Sequence, residues 1–187
     1  SVSGRTFTDE DYDGLRGETE KPASATVTLL DGAGNALAST RTDANGAYRF
    51  DGLKAGKYAV AFELPEGWQF TRSREDAPSY NSDVPETAAN EARTAQLYLP
   101  MGEELPVDAG GYRAAKLSGA VWMYPNGNDG AANMPVRLIR GGEVYRETET
   151  DARGAYAFDA LPPGEYTVEP VLPEGLLIMN ETAANVT

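Results

Sequence analysis

Histidine and cysteine are both absent from the 187 residues. The first absence removes imidazole acid–base chemistry. Together they remove serine and cysteine triads and zinc sites built on nitrogen or sulfur. Without cysteine no disulfide reinforces the fold, and no oxidising compartment is required. Positive charge is scarce: 16 Lys and Arg stand against 29 Asp and Glu, a formal net charge of −13. With no histidine, that charge barely changes near neutrality. A field of this sign repels nucleic acid and anionic lipid and attracts divalent cations. No apolar run approaches a membrane span, no signal peptide opens the chain, and no glycine-rich phosphate loop precedes a lysine. No nucleic-acid partner and no membrane insertion are therefore expected, and the chain reads as an excised part of a mature protein. Carboxylate pairs leave glycosidase-type catalysis formally open. Clustered solvated acids have no cause to hold a raised pKa, however, so no enzyme is expected.

The chain does contain one segment twice. Thr42–Trp68 and Thr150–Leu176 align without a gap at an offset of 108 residues, and 16 of 27 positions are identical. Ser3-Gly4, ahead of an extended stretch, recurs as Ser118-Gly119 ahead of Ala120-Val121-Trp122. Repetition on this scale means duplicated, separately folding modules, because solenoid units are shorter. Two domains are expected, 1–114 and 115–187, the second shortened or truncated and with little chain for a core. A hydrophobic content of 41% is too high for a disordered acidic chain.

Strand signals dominate both units. Thr26–Leu30 runs into the turn Asp31-Gly32-Ala33-Gly34-Asn35, and extended chain resumes from Ala36 to Thr42. Asp43-Ala44-Asn45-Gly46 is a turn that feeds Tyr48 and Phe50, one face at period two. After Lys54–Lys57, Tyr58, Val60 and Phe62 again share a face. Strands are also expected at 94–99 and 104–107, and in the second unit at 136–139, 144–150, 155–158 and 166–171. A helical turn within Glu86–Leu97 is the one competing element. The fold class is all-β, a pair of tandem sandwiches, since a single layer could not bury both apolar faces.

These residues carry a family pattern. Ser3-Gly4, Phe7, the acidic run Asp9 to Glu18, Val27–Leu30, and Gly46-x-Tyr48-x-Phe50-x-x-Leu53-x-x-Gly56-x-Tyr58 resemble the B-type repeats of serine-aspartate-repeat surface adhesins. Asp108–Tyr112 is similar to that family's domain end. The family belongs to the collagen-adhesin B-type superfamily of Gram-positive surface proteins. The resemblance implies two prealbumin-like, reversed immunoglobulin-like β-sandwiches. It also implies a stalk or spacer at the extracellular bacterial cell surface, attached to the cell wall, with neighbouring domains of a longer surface protein as partners.

Asp9, Asp11 and Asp13 sit two apart, Gly14 follows, and Glu18 lies five beyond Asp13. Alternate carboxylates on a tightly turning loop converge on one point. Such a set suits Ca²⁺, a hard cation seeking six to eight oxygens, with the Leu15 carbonyl filling in and Glu18 closing the shell. The competing reading is a solvated acidic edge loop. The resembled repeats bind calcium through such a loop with help from a distant acidic segment, which implies Asp83, with Asn81 as a weaker match. The corresponding loop of the second unit, Tyr124–Gly130, keeps only Asp129 and is expected to hold no metal.

The wider superfamily often joins a first-strand lysine to a last-strand asparagine beside a buried acid. By that resemblance the residues would be Lys116, Glu169 and Asn180, or Asn185 as the amide. Burial must neutralise the amine and protonate the acid. Lys116 reads as linker and Glu169 precedes Pro170, so ordinary solvated charges are the favoured reading there.

The rival to a spacer is a carbohydrate- or protein-binding module with a host glycan or protein as ligand. It would act through exposed aromatics or an unfilled sheet edge. Phe7, Trp68 and Trp122 are expected to fill or cap cores, leaving Tyr80 and Tyr124 exposed; Tyr98 is a further aromatic. The short junction 108–117 is expected to limit bending between modules.

Overall fold

The computed structural model describes residues 1–74, 81–123 and 129–175, and the backbone of 183–186. The chain divides into two compact units, Ser1–Arg113 and Ala114–Thr187. In the first, strands β1 (Val2–Thr8), β2 (Thr26–Asp31), β3 (Ala36–Arg41), β4 (Ala47–Phe50) and β5 (Gly56–Glu63) precede β6 (Trp68–Phe70), β7 (Glu91–Arg93), β8 (Leu97–Leu99), β9 (Leu105–Pro106) and β10 (Ala109–Arg113). They form two sheets, ordered β4-β1-β10-β6 with β9 also on β1, and β3-β2-β5-β7 with β8 also on β5. Most pairs are antiparallel, but β1 runs parallel to β10, with Thr6, Phe7 and Thr8 opposite Ala109, Gly110 and Gly111. The first and last strands of this unit are therefore neighbours.

The second unit holds β11 (Ala115–Ala120), β12 (Pro135–Arg140), β13 (Glu143–Glu149), β14 (Ala155–Leu161), β15 (Gly164–Pro170) and β16 (Ala183–Val186). Its sheets are β11-β14 and β13-β12-β15-β16. Both units are all-β and layered, in keeping with tandem prealbumin-like sandwiches. The helical turn considered within Glu86–Leu97 is replaced by β7 and β8. There Ala92 and Leu97 pack on the first core, and the edge of β5 offers backbone partners that helix propensity ignores.

Local chemistry explains why the repeated segment folds alike twice. The Asp43 carboxylate accepts the amides of Asn45 (2.8 Å) and Ala47 (2.9 Å). Asp151 does the same for Arg153 (2.8 Å) and Ala155 (2.9 Å). Each Asx turn ends in a positive-φ glycine, Gly46 at 71° and Gly154 at 77°. A Cβ at Gly46 would collide with the Thr6 carbonyl, and one at Gly154 with the Val121 carbonyl, so no other residue fits.

Alternation along these strands builds the cores. Val27, Leu29, Tyr48, Phe50, Val60, Phe62, Phe70 and Leu99 are buried between the sheets of the first unit. Leu117, Val136, Leu138, Phe158, Leu161 and Tyr166 make the smaller described core of the second. Phe7 is buried at 1% exposure, and Trp68 packs half-buried against the first core. Trp122, expected to fill the second core, is instead 58% exposed. Tyr98 is also exposed, whereas Tyr80 and Tyr124 lie outside the described residues.

Candidate metal centre

The loop that leaves β1 turns twice against the usual backbone preference, at Tyr12 (φ 60°) and Gly14 (φ 81°). These turns fold Asp9, Asp11 and Asp13 back so that one carboxylate oxygen from each lies within 4.8 Å of the others. Among the described residues this is the one such acidic group. Asp9 is fully buried, Asp13 half-buried and Asp11 exposed.

The loop holds itself together with its own carboxylates. Asp9 accepts the amides of Asp13 (3.1 Å) and Gly14 (2.9 Å) and the Thr71 hydroxyl (2.6 Å). Asp11 Oδ1 accepts the Asp13 amide at 3.3 Å, and Asp13 Oδ1 accepts the Leu15 amide at 2.7 Å. Among the described residues, Asp11 Oδ2 and Asp13 Oδ2 take no hydrogen bond, which leaves them for an external cation. Burial pushes the Asp9 carboxyl up against the donors that favour its charge. A desolvated carboxylate beside two others is the donor set a divalent cation stabilises, and the three acids fit one chemically.

Neighbouring segments brace the loop. The Ser82 amide donates to the Gly14 carbonyl (3.0 Å), and Leu15 bridges to Asn81. Tyr12 stacks edge-on against Tyr112 at 5.3 Å and hydrogen-bonds Glu86, and the Arg72 guanidinium lies 5.5 Å from its ring centroid. A Cβ at Gly14 would meet the Arg72 carbonyl at 2.5 Å. The Asp9 amide donates to the Gly111 carbonyl (2.8 Å), so the acidic group sits at the end of the β1–β10 ladder.

The remaining expected ligands are placed differently. Glu18 is exposed and is not in the acidic group. Glu20, which the spacing argument passed over, lies against the loop and accepts the amides of Glu10 (3.1 Å) and Gly17 (2.8 Å). Burial, then the charges of Asp9 and Asp11, raise its carboxyl from 4.5 to about 7. Asp83 is engaged elsewhere: its carboxylate accepts the Asp108 amide (2.7 Å), and its own amide donates to the Asp108 carbonyl (2.8 Å). Asp108 is itself buried and takes the Arg5 amide (2.7 Å) and the Arg16 guanidinium (3.2 Å). Burial raises the carboxyls of both Asp83 and Asp108. Only the docking of the segment around Asp83 on the β9–β10 connection brings these two acids together, so spacing offered no signal for it.

In the second unit, residues 124–128 of the corresponding loop lie outside the described residues, and Asp129 is exposed. Lys116 is solvent-facing and pairs with Asp159 at 3.0 Å. Glu169 is exposed on β15, and Asn180 lies outside the described residues, as does the Asn185 side chain. Neither the amine nor the acid has the burial that crosslinking chemistry needs.

The SdrD B-like domain family matches residues 1–111 and 123–186. Serine-aspartate repeat-containing protein F of Staphylococcus epidermidis is 34% identical over 188 residues, covering 95% of this chain and 11% of that protein. Serine-aspartate repeat-containing protein C of Staphylococcus aureus is 31% identical over 191 residues, covering 96% of this chain and 19% of its own length. Colossin-A of Dictyostelium discoideum is 31% identical over 192 residues, covering 90% of this chain and 2% of that protein. The chain thus spans under a fifth of these relatives. Among solved structures, the Bacillus anthracis TIE protein has a TM-score of 0.39 at 15% identity, covering 100% of this chain and 31% of that one. The shaft pilin SpaA of Lactobacillus rhamnosus GG has 0.36 at 10%, covering 98% and 92%. With neither histidine nor cysteine, imidazole and thiol chemistry is absent from both units. The chain belongs to the SdrD B-like domain family, which accounts for both of its units.

Proposed function

We propose that the chain is a spacer segment of a wall-attached bacterial surface protein, and that Ca²⁺ bound at Asp9, Asp11 and Asp13 stiffens its first unit. One observation carries this reading: β1 and β10, the first and last strands, pair in parallel, and the acidic loop closes their ladder through the Asp9–Gly111 hydrogen bond. Tension between the ends of the unit enters β1 at its N-terminal end and leaves β10 at its C-terminal end. In that geometry the ladder is loaded in shear, with its hydrogen bonds resisting together rather than opening one by one. A cation neutralising the three carboxylates would hold the loop that terminates the ladder. Calcium suits this role better than magnesium, which demands a small octahedral shell and gives up water reluctantly. Leu15 and Glu18 remain the proposed sources of further oxygens, and Asp83 joins them only if its carboxylate releases the Asp108 amide. The neighbouring partners are the other domains of the longer protein.

Single-molecule pulling tests the reading, since forced unfolding reports the unfolding rate. The first unit is expected to unfold at higher force in calcium than in excess chelator. Equal forces in the two conditions would sink the proposal. The exposed Trp122 and Tyr98 favour a second reading, a glycan- or protein-binding module. Reproducible hits for the chain on a glycan array would support that one instead.

A further inference from the structure

The repeat supplies an internal control for one surface of the first unit. Gly4 pairs with Tyr48 and Gly119 with Tyr156, so β11 repeats β1, with Trp122 at the position of Phe7 and Tyr156 at that of Tyr48. On this register Ser3 faces Arg49 where Ser118 faces Ala157, and Arg5 faces Ala47 where Ala120 faces Ala155. Across β2 and β12, Thr26 faces Arg41 where Pro135 faces Glu149. The second unit keeps these pairings with alanine, alanine and glutamate in place of Arg5, Arg49 and Arg41. The fold therefore requires arginine at none of the three positions.

In the first unit the three converge. Together with Arg16, from the loop after β1, they line an open cleft of about 580 Å³. On a chain of net charge −13 such a gathering of cations runs against the overall field. Two of the four are already held, Arg16 by Asp108 (3.2 Å) and Arg49 by Asp51 and Glu104 (both 2.7 Å). Arg5 and Arg41 are exposed, and their guanidiniums donate to nothing among the described residues. The acids of the lining do not neutralise them. Asp108 is taken up by the Arg5 amide and Arg16, and Asp43 Oδ1 by the amides of Asn45 and Ala47. Asp43 Oδ2 takes no hydrogen bond among the described residues and lies on the cleft wall with Thr40.

We propose that this cleft binds an acidic sugar, a single carboxylate on a hydroxylated ring, with Arg5 and Arg41 taking the carboxylate and Asp43 and Thr40 the neighbouring hydroxyls. An unpaired guanidinium presents a planar fork of donors that matches a carboxylate. The field of the whole chain repels a polyanion and so favours a ligand of one charge. Asp43 narrows the choice further: its free oxygen repels a second charge but accepts a hydroxyl. The volume lies within the range of small-ligand sites. The site lies wholly within the first unit and depends on neither calcium, the spacer reading, nor the exposed aromatics Trp122 and Tyr98.

Titrating the whole chain with glucuronic acid and, separately, with N-acetylneuraminic acid tests this by proton–nitrogen correlation spectra. Saturable shifts are expected at the Nε–H signals of Arg5 and Arg41 and at the amides of Thr40 and Asp43. The two probes separate uronic from sialic sources of the same chemistry. Methyl glucoside lacks the charge and acetate lacks the ring. Each is expected to bind about tenfold more weakly or worse, since each forfeits one set of hydrogen bonds. Combining Arg5→Ala with Arg41→Glu installs the second unit's residues at those positions. The double variant is expected to lose binding while the first unit melts as before, because neither side chain has a described partner. Four results would each overturn the proposal: no saturable shift with either sugar acid, shifts confined to Trp122 or Tyr98, acetate binding as tightly as the sugar acids, or undiminished binding by the double variant.

Discussion

Single residues separate the roles of charge and hydrogen bonding at the acidic loop. Asp9→Asn keeps an acceptor for the Thr71 hydroxyl and the Gly14 amide, gives up the weaker one for the Asp13 amide (3.1 Å), and removes a buried negative charge. With calcium, the variant is expected to bind the ion about tenfold more weakly or worse, since charge count tunes affinity at such sites. In excess chelator it is expected to melt no lower than the parent, because repulsion among the carboxylates is relieved. Titration calorimetry and melting in the two buffers check both signs. A variant that melts lower in both buffers would mark Asp9 as purely structural. The paired tyrosines give a second contrast. Tyr48→Phe deletes a buried hydroxyl bonded to the Val107 carbonyl and is expected to cost about 1 kcal/mol in denaturant titration. Tyr156→Phe, with no described partner for its hydroxyl, is expected to cost much less.

At the scale of elements, the loop after β1 is where stability meets pH. Glu20 carries a carboxyl raised to about 7 by burial and by Asp9 and Asp11. A raised carboxyl means that the folded state binds its proton more tightly than the unfolded chain does. Its stabilising contribution is therefore present below about pH 4.5 and is lost as pH climbs through about 7. Asp9, Asp83 and Asp108, raised by burial, act in the same direction. In chelator the first unit is expected to melt at falling temperature from pH 4.5 to 7.5, and Glu20→Gln to flatten that slope. Scanning calorimetry across the range measures it; a melting temperature that rises with pH in chelator would contradict the assignment. The elements themselves were largely legible in sequence. Period-two alternation and Asx turns place β2 to β5, β12, β13 and β15 within a residue or two, and β14 runs three residues beyond its expected end. β8 lies inside the strand expected at 94–99, and only β7 is unexpected: an Ala-containing stretch is helical by propensity, but here it lies beside the otherwise unpaired edge of β5.

For the whole molecule, two units with separate cores predict two thermal transitions, and calcium is expected to shift only the one belonging to the first unit. Calorimetry of the intact chain with and without chelator tests this; movement of both transitions together would show that the second unit also depends on the ion. The duplication, the all-β class and the three converging aspartates follow from composition and spacing alone, because each rests on local periodicity or on residue chemistry. Tertiary structure decided what depends on residues distant in sequence. It put Glu20 rather than Glu18 against the loop, engaged Asp83 with Asp108, and turned Lys116 and Glu169 to solvent. It also exposed Trp122 where Phe7 is buried, although the two occupy one position of the repeat. The reason lies in strand pairing: a side chain's burial is set by which strand lies beside it, and β10, some 100 residues from β1, leaves no trace in the local pattern of either.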